Sequence, residues 1–236
     1  MARMKFMNIE IDNLTMQETL QAIDQLIQED RSAYVVTPNV DHIVQLETNE
    51  ELQEVYENAS LILTDGKPLL WIANWYGTPI KEKISGSDLF PLLCKMATEK
   101  GYKMFFLGAA EGVAAKAAEN LANKFKGLQV VGTYSPPFGF EKDPVEMDKI
   151  KSMIKEATPD ILIVGLGCPK QEKFMYHHCT ELGVPISFGL GASFDFEAGN
   201  IKRAPRWMAN HGLEWLFRIT QDPKRMSKRY LVDDRK

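Results

Sequence analysis

Cysteine and histidine are scarce in this chain of 236 residues. It contains three cysteines, none at CxxC spacing, and four histidines. An odd number of widely spaced cysteines argues against a disulfide framework or a zinc site, so we expect buried free thiols. The adjacent pair His177-His178 makes a poor chelate, because neighbouring residues on a helix point in different directions. These counts favour a protein without a metal centre.

Long apolar runs are also missing. No stretch approaches the ~18 consecutive apolar residues of a membrane-spanning helix. The opening residues, MARMKFMNIEID, lack the continuous apolar segment of a signal peptide, so we expect a cytosolic protein. A hydrophobic content of 44% and a charged content of 25% are typical of a soluble globular chain. The length allows one large domain or two small ones.

Basic charge is concentrated at one end of the chain. The net charge is −4, but residues 202–236 hold ten Lys and Arg against four Asp and Glu, which leaves about −10 for residues 1–201. A basic segment on an acidic body predicts an anionic partner, either a phosphate or diphosphate group or the headgroups of a membrane surface. A solubilising helical tail would give the same composition. We expect no nucleic acid among the partners.

Short apolar runs alternate with helical patterns through most of the chain. The expected strands are KFMNIEI, AYVVTP, SLILT, KMFFLG, QVVGTY, DILIVGLG and PISFGLG. Helical stretches lie between them, and the first opens with a capping box at Thr15-x-x-Glu18. This alternation predicts an α/β, Rossmann-like fold with a largely parallel sheet flanked by helices. After Gly199 the pattern is only helical, so we expect an α/β domain over residues 1–200 and a basic helical appendage over residues 201–236.

Two nucleotide-binding fingerprints are absent. The chain has neither a GxGxxG motif with its ribose-binding acid nor a GxxxxGK[ST] loop. P-loop enzymes are therefore excluded, and a nicotinamide-dependent oxidoreductase is left with the α/β pattern as its only support. The sequence FFLGAAEGVAAKAAENL nevertheless has the strand, small-residue turn and helix of a phosphate cradle, with Gly108 at the strand end. Close packing of the turn against the helix would explain the same small residues.

An acidic residue stands at the end of one expected strand, in LILTDGKPLLW. The Asp-Gly pair formed by Asp65 and Gly66 is ordinarily a turn, because Asp caps its own backbone and Gly accepts positive φ. The same place suits a reacting group, since open parallel sheets bind ligands beyond the carboxyl ends of their strands. The local sequence is compatible with both a turn residue and a catalytic base.

Two further stretches carry polar groups at expected strand ends. GLGCPKQEKF begins a helix with Lys170, Gln171 and Glu172 in its first turn. An amide and a cation there suit a sugar, a base edge or a phosphate, although solvated residues at a helix start would look the same. Asp195 and Glu197 in FDFE alternate along what reads as an extended segment, which is a weak form of the DxD metal clamp of sugar-nucleotide transferases.

Seven blocks of sequence carry a family resemblance. They are TPNVDHIV, LTDGKPLLW, KISGSDL, FFLGAAEGV, VGLGCPKQEKF, GLGASFDFEAGNIKRAP and GLEWLFRITQDPKR, in family order from about residue 5 to 230. With them the chain resembles the WecG/TagA/CpsF family of bacterial glycosyltransferases. The resemblance implies transfer of a sugar from a UDP-sugar to a lipid-diphosphate-linked sugar. The best-known version moves N-acetylmannosamine to N-acetylglucosamine on undecaprenyl diphosphate with inversion, for teichoic acid or other cell-surface polysaccharide synthesis.

The resemblance also implies roles for residues of the α/β domain, which would bind the nucleotide-sugar and carry the catalytic site. Asp65 falls at the position of the family's proposed general base. Thr37 and Asn39 fall beside it in the pocket, and Gln171 and Asp195 fall at the nucleotide-sugar site. Inverting transfer needs a base of this kind to remove the proton of the acceptor hydroxyl.

The basic appendage has an implied role as well. Arg218 and Arg225 match C-terminal arginines that approach the donor diphosphate, so the appendage would pack near the active site. Lys83 stands where the family often has Arg, which keeps the charge but loses the planar fork that binds two oxygens at once. Because the metal motif is poor and the appendage is basic, we expect the leaving diphosphate to be neutralised without a metal or other cofactor.

Several alternatives stay open at this point. The donor sugar could be N-acetylmannosamine, its uronic acid or a glucose-type sugar, because a few pocket contacts separate them. A non-catalytic nucleotide-sugar-binding protein on the same fold is a rival, as is the oxidoreductase. The expected location is cytoplasmic, peripherally associated with the inner face of the membrane, and a homo-oligomer is compatible with the sequence.

Overall fold

The computed structural model of the chain describes residues 3–29, 31–205, 207–208 and 212–221, without the side chains of Trp215 and Arg218. The strands are β1 Met4–Phe6, β2 Ile9–Ile11, β3 Ala33–Val36, β4 Leu61–Ile62, β5 Lys103–Gly108, β6 Gln129–Tyr134, β7 Ile161–Gly165 and β8 Ile186–Gly189. The helices are α1 Met16–Gln28, α2 Val40–Leu46, α3 Glu50–Glu57, α4 Lys67–Trp75, α5 Gly86–Lys100, α6 Val113–Lys124, α7 Pro144–Ala157, α8 Lys170–Leu182, α9 Ser193–Ala198 and α10 Glu214–Gln221.

The parallel sheet expected from the sequence is confirmed. Strands β3 to β8 form a six-stranded sheet in the order β4-β3-β8-β7-β5-β6, and every neighbouring pair is parallel. Helices connect successive strands, as parallel pairing requires. The order places the carboxyl ends of β4, β3, β8 and β7 side by side at one edge of the sheet, which is where ligands bind in such folds.

Two hydrophobic clusters cover the two faces of the sheet. Successive residues of a strand point to opposite faces, so Val35 joins one cluster while Val36 joins the other. Strands buried on both faces read as continuous apolar runs, as in β7, where all five residues are buried. On one face, the rings of Phe90, Phe106 and Phe194 pack with centroids 5.2 to 5.6 Å apart and fix α9 against the sheet.

The prediction of one strand over KFMNIEI is wrong. β1 and β2 are two short antiparallel strands in which Phe6 lies opposite Ile9, and they form a separate hairpin. The reversal occurs at Met7 and Asn8, where Met7 has a φ of +53°. Asn8 favours turns, but the apolar residues around it read as one continuous strand pattern. The hairpin is joined to β4 through Asp12, whose carboxylate accepts a hydrogen bond from Ile62 N at 2.8 Å.

The helices expected over the described residues are present, with α2 and α9 as additions and one shortening. The capping box of α1 is confirmed: Thr15 Oγ1 accepts from Glu18 N at 3.2 Å and Glu18 Oε2 accepts from Thr15 N at 2.7 Å. Helix α2 was not expected from the sequence. The continuous helical pattern expected after Gly199 is wrong for residues 201–205, which are not helical, whereas α10 confirms its later part. Among the described residues, we find no helix with the length and apolar character to cross a membrane.

Candidate active site

A small cavity of about 130 Å³ lies at the carboxyl ends of the strands. Four of the residues named from the sequence line it together: Thr37, Asn39, Asp65 and Gln171. They come from three separate places in the chain, after β3, β4 and β7, and meet because β4, β3, β8 and β7 are neighbours in the sheet. The loop after β8 and residue Phe196 of α9 close the other side.

Asp65 is held by the backbone on both sides of the turn. Its N–H donates to Pro38 O at 2.8 Å, which ties the end of β4 to the end of β3. Gly66 follows with φ +105°, a conformation that a side chain would strain, and α4 begins immediately afterwards. Asp65 is one of the residues that line the cavity. The Asp-Gly turn and a reactive position are therefore compatible, because the turn is what holds the acid at the rim.

Asn39 reaches the cavity as the N-cap of α2. Its Oδ1 accepts from His42 N at 3.3 Å and lies 2.9 Å from His42 Nδ1. Asn, Asp, Ser and Thr are the preferred N-caps because a short polar side chain can satisfy the free N–H groups of the first turn. The ring of His42 is buried and its Nε2 lies 3.4 Å from Glu172 Oε1 on α8.

Gln171 is buried in the first turn of α8. Its Oε1 accepts from two backbone donors, Gly167 N and Gly191 N, each at 3.2 Å. Its Nε2 donates to Glu172 Oε1 at 2.8 Å. One amide therefore ties the loops after β7 and β8 to the helix. The close fit requires glycine opposite, because a Cβ on Gly189 would lie 3.0 Å from Gln171 Nε2.

A larger cavity of about 700 Å³ adjoins the first. Ser87 and Phe196 line both. Its charged lining residues are the basic Lys67, Lys83, Lys202 and Arg203 and the acidic Glu82, Asp88 and Glu214. Its walls come from the loop before α5, from residues that follow α9 and from α10, so the C-terminal segment forms part of this cavity.

Lys83 is the central cation of the larger cavity. Its Nζ lies 3.0 Å from Asp88 Oδ2, 3.3 Å from Ser85 Oγ and 3.7 Å from Glu214 Oε2. Burial lowers the pKa of Lys83, but Glu214 and Asp88, with a smaller effect from Asp65, outweigh it and raise this pKa above its usual range. The ammonium is therefore charged at neutral pH and is anchored by acids from two parts of the chain.

Asp88 connects Lys83 to the C-terminal segment. Arg203 Nη1 lies 3.1 Å from Asp88 Oδ1, and Ser85 Oγ donates to Asp88 Oδ2 at 2.5 Å. Burial raises the pKa of Asp88, yet the hydrogen bond from Ser85 and the charges of Lys83 and Arg203 reverse this and lower the pKa. Lys83 and Arg203 therefore both contact the Asp88 carboxylate, which stays ionised.

A third recess of about 380 Å³ lies beyond β5 and β7. It is lined by Ala109, Gly165 and Lys170 together with the SPPFGF loop. Lys170 Nζ lies 2.6 Å from Glu141 Oε1 and 4.9 Å from the centre of the Phe138 ring. Gly108 lies beside this recess, where β5 ends, and not in the first two cavities. Its φ is +111°, and a Cβ there would lie 2.5 Å from Gly165 O.

The interpretation of FDFE as an extended segment is wrong. These residues belong to α9, where residues two apart do not share a face. Asp195 Oδ1 accepts from Asn200 Nδ2 at 3.3 Å, while Glu197 Oε1 lies 3.7 Å from Arg203 Nη2. The two acids therefore do not form a DxD-type clamp, and Asp195 is not among the residues that line the first cavity. The side chain of Arg218 and the whole of Arg225 lie outside the described residues.

One cluster within the described residues has the ligand types of a transition-metal site. Single ligand atoms of His42, Cys168 and Glu172 all lie within 4.8 Å of one another, next to the first cavity. Imidazole, thiolate and carboxylate are ligands of zinc and related ions. The sequence prediction of no metal site stays a prediction.

Sequence reasoning missed several residues of these cavities. His42, Asp88 and Glu214 lie within the blocks TPNVDHIV, KISGSDL and GLEWLFR, so the blocks were recognised without a role for these side chains. Glu172 was placed in a helical first turn but not in the site. The missing signal was the strand order, because contacts such as His42 to Glu172 join residues 130 positions apart.

Known proteins give independent information about this chain. The model of the glycosyl transferase WecG/TagA/CpsF family matches residues 4–236. An N-acetylglucosaminyldiphosphoundecaprenol N-acetyl-beta-D-mannosaminyltransferase of Bacillus spizizenii is 34% identical over 200 residues, which cover 84% of this chain and 75% of the relative. A protein of the same name from Staphylococcus aureus is 26% identical over 229 residues, which cover 96% of this chain and 88% of the relative.

Proposed function

The chain belongs to the WecG/TagA/CpsF family and is a glycosyltransferase, and from that premise we propose that it moves N-acetylmannosamine from a UDP-sugar to N-acetylglucosamine on undecaprenyl diphosphate, with inversion. The names of the relatives support this sugar and this acceptor. The observation that carries the proposal is the cavity in which Thr37, Asn39, Asp65 and Gln171 meet at the strand ends.

Asp65 is the proposed general base. Inversion requires the acceptor hydroxyl to attack the anomeric carbon from the face opposite the leaving UDP, and a carboxylate within hydrogen-bond reach takes the hydroxyl proton. Asp65 lines the cavity and is fixed by its backbone bond to Pro38. Thr37 and Asn39 beside it supply hydrogen-bonding groups that orient the sugars.

The larger cavity is the proposed place for the diphosphate. Lys67, Lys83, Lys202 and Arg203 bring positive charge to its walls. Negative charge develops on the leaving oxygen during transfer, and fixed cations stabilise it without reorganisation. We assign Arg218 and Arg225 to the same task on the basis of the resemblance, although they lie outside the described side chains. On this account the transfer uses no metal.

A lipid-linked acceptor implies that the enzyme works at a membrane surface. An acceptor on undecaprenyl diphosphate stays in the bilayer, so the enzyme would associate peripherally with the inner face of the membrane and act in synthesis of a cell-surface polymer. The ten basic residues of segment 202–236 would be attracted to anionic headgroups, at ~1 kcal/mol for each basic residue near the surface.

The proposal is tested by a screen of UDP-sugars against a short-chain N-acetylglucosamine diphospholipid, with the product identified by mass and its anomeric configuration by NMR. We expect one N-acetylhexosamine to be added from UDP-N-acetylmannosamine, with a β linkage, in the presence of EDTA. A lipid diphosphate without the sugar is the control acceptor. If sugar were added only from another UDP-sugar, the proposed donor would be wrong. An α-linked product would refute inversion. Binding without turnover would favour a non-catalytic protein.

A further inference from the structure

The larger cavity contains an ion pair with which a diphosphate would have to compete. Lys83 Nζ lies 3.0 Å from Asp88 Oδ2 and 3.7 Å from Glu214 Oε2. We propose that Glu214 is an exchangeable counter-ion of Lys83, which pairs with the ammonium when no donor is bound and is replaced there by the diphosphate of the donor. This inference rests on the proposed function, which places the diphosphate in this cavity.

Lys83 needs a negative partner whether or not a donor is bound. Its side chain is 13% exposed, and a buried cation is unfavourable unless an opposite charge compensates it. Burial lowers the pKa of Lys83, and the charge of Glu214 comes first among the effects that raise this pKa again, ahead of Asp88. A diphosphate beside the ammonium would act in the same direction, so Lys83 keeps its charge when one anion replaces the other.

Asp88 is the fixed partner of Lys83. Its Oδ2 accepts from Ser85 Oγ at 2.5 Å and from Lys83 Nζ at 3.0 Å, and its Oδ1 accepts from Arg203 Nη1 at 3.1 Å. It also lies in the first turn of α5, where the helix dipole favours a negative charge. Displacement of Asp88 would break three contacts at once, so an incoming anion does not replace this acid.

Glu214 is held much more weakly. Its distance of 3.7 Å from Lys83 Nζ is that of an ion pair and is longer than a hydrogen bond. No second partner of its carboxylate lies in the part of the chain that the structure describes, and its side chain is 34% exposed. Because Glu214 is the first residue of α10, rotation of its side chain towards solvent leaves the helix intact. Of the two acids on Lys83, Glu214 is therefore the one that a ligand can displace.

The charge balance of the cavity favours the exchange. Four basic and three acidic residues line it among those described, which leaves a net charge of +1, and removal of Glu214 from the lining raises this to +2. A diphosphate carries more than one negative charge, so it is bound better once the Glu214 carboxylate has moved away. The same carboxylate would return to Lys83 as UDP leaves. Glu214 thus lowers the affinity for UDP and favours release of this product.

The exchange is tested by isothermal titration calorimetry of the full chain with UDP. We expect Glu214→Gln to bind UDP roughly 3- to 10-fold more tightly, because the competing charge is lost while the size of the side chain is kept. Unchanged or weaker binding of UDP would overturn the exchange. A fall in affinity would show instead that Glu214 serves to hold α10 in the cavity wall.

Glu82→Gln is the matched control. Glu82 lines the same cavity, but its carboxylate accepts from Met16 N at 2.7 Å and forms no ion pair with Lys83. The substitution removes the same charge, so only screened, long-range repulsion changes, and UDP affinity should rise by less than about twofold. Equal tightening in Glu82→Gln and Glu214→Gln would overturn the exchange, because the effect would then not need the ion pair.

Lys83→Met shows whether Glu214 acts through Lys83. We expect this variant to bind UDP roughly 10-fold more weakly. In the Lys83→Met background, Glu214→Gln should change UDP affinity no more than Glu82→Gln does, and the full 3- to 10-fold gain there would overturn the exchange. If Lys83→Met alone leaves UDP affinity unchanged, the diphosphate does not lie in this cavity, and both its proposed place and the exchange are wrong. Weaker binding in Lys83→Met without tighter binding in Glu214→Gln overturns the exchange alone.

Uridine and product inhibition complete the test. Uridine lacks phosphate, so its affinity should be the same for Glu214→Gln and the unmodified protein. A gain for uridine as large as that for UDP would place the effect away from the diphosphate and overturn the exchange. In the transfer reaction, UDP should inhibit Glu214→Gln at roughly 3- to 10-fold lower concentration. Inhibition equal to that of the unmodified enzyme would overturn the role of Glu214 in product release.

Discussion

At the scale of single residues, the backbone explains why a turn residue can also be a base. Asp65 lies in the turn after β4, its N–H donates to Pro38 O in the loop after β3, and Gly66 takes the positive φ that the turn requires. This bond uses the backbone and not the carboxylate, so Asp65→Asn keeps it. Sequence alone predicted both roles for Asp65 but could not choose between them, because the choice depends on which other strand ends lie beside it.

Asp65→Asn therefore separates the two roles. We expect turnover to fall by ~10²-fold or more, because the acceptor proton loses its base. UDP affinity should stay within about twofold, since Asn also favours turns and keeps the backbone bond. Steady-state kinetics and UDP titration measure the two effects. Asp143→Asn, at the N-cap of the remote helix α7, is the control. Turnover near that of the control would show that Asp65 is a turn residue and not the base.

Gly108→Ala tests the close approach of β5 and β7. Its Cβ would lie 2.5 Å from Gly165 O and its φ is +111°, so strain and overlap add. We expect a loss of about 2 to 4 kcal/mol in the free energy of unfolding, measured in urea. Gly139→Ala is the matched control, because φ there is +83° with nothing within 4 Å of the added Cβ, and only the cost of strain applies. Equal losses of unfolding free energy in the two variants would show that the structure relaxes around the contact between residue 108 and Gly165.

At the scale of elements, local signals were sufficient where an element depends on its own residues. The capping box of α1, Pro68 at the start of α4 and the buried run of β7 could all be predicted from neighbours in sequence. The hairpin was missed because the φ of +53° falls on the apolar residue Met7, and Asn8 without a neighbouring glycine is a weak turn signal. Helix α9 was mistaken for an extended segment because FDFE alternates, whereas Phe194 packs against Phe90 and Phe106 and holds these residues in a helix.

Helix α1 gives a prediction about pH. The backbone N–H of Thr15 and the side chain of Lys81 stabilise the ionised Glu18 and lower its pKa to about 2. The contribution of this carboxylate to stability is fully present above its unfolded pKa, which is near 4.5, and is lost as the pH falls towards 2. An NMR titration of Glu18 checks the pKa. In Lys81→Ala the pKa should rise but stay below 4.5, because the backbone bond remains; an unchanged value would contradict the contribution of Lys81.

At the scale of the whole molecule, the strand order determines which residues meet in the site. β3 pairs with β8 although they are about 150 residues apart, and this brings Thr37 close to Gln171. No local pattern carries that information, so the sequence could name strand ends but not their neighbours. The family resemblance supplied this information for some positions only. Four residues of the small cavity were therefore named in advance, whereas Asp88 and Glu214 of the larger cavity were not.

The surface of α4 gives a prediction about the membrane. Trp71 and Trp75 lie one turn apart and both are exposed, Trp75 at 85%, with the exposed Tyr76 beside them. Exposed Trp and Tyr side chains are favoured at the boundary between lipid and water. We expect Trp75→Ser to weaken sedimentation with vesicles of anionic lipid and to leave turnover of a short-chain acceptor unchanged. Phe138→Ser, an exposed aromatic residue by the third recess, is the control. Equal sedimentation of both variants and the unmodified protein would exclude α4 from lipid contact.

The wall that the C-terminal segment contributes to the larger cavity also fixes when the site can form during synthesis. The sheet is complete once β8 has emerged from the ribosome, at Gly189, whereas the cavity needs residues from Met16 to Phe217. Synthesis proceeds from the N-terminus, so the residues of the sheet are available before those of α10. A nascent chain stopped between these two points would have the strands of its sheet but not all the walls of the larger cavity. On the proposed function, such a chain would not bind donor before the residues of α10 have been made.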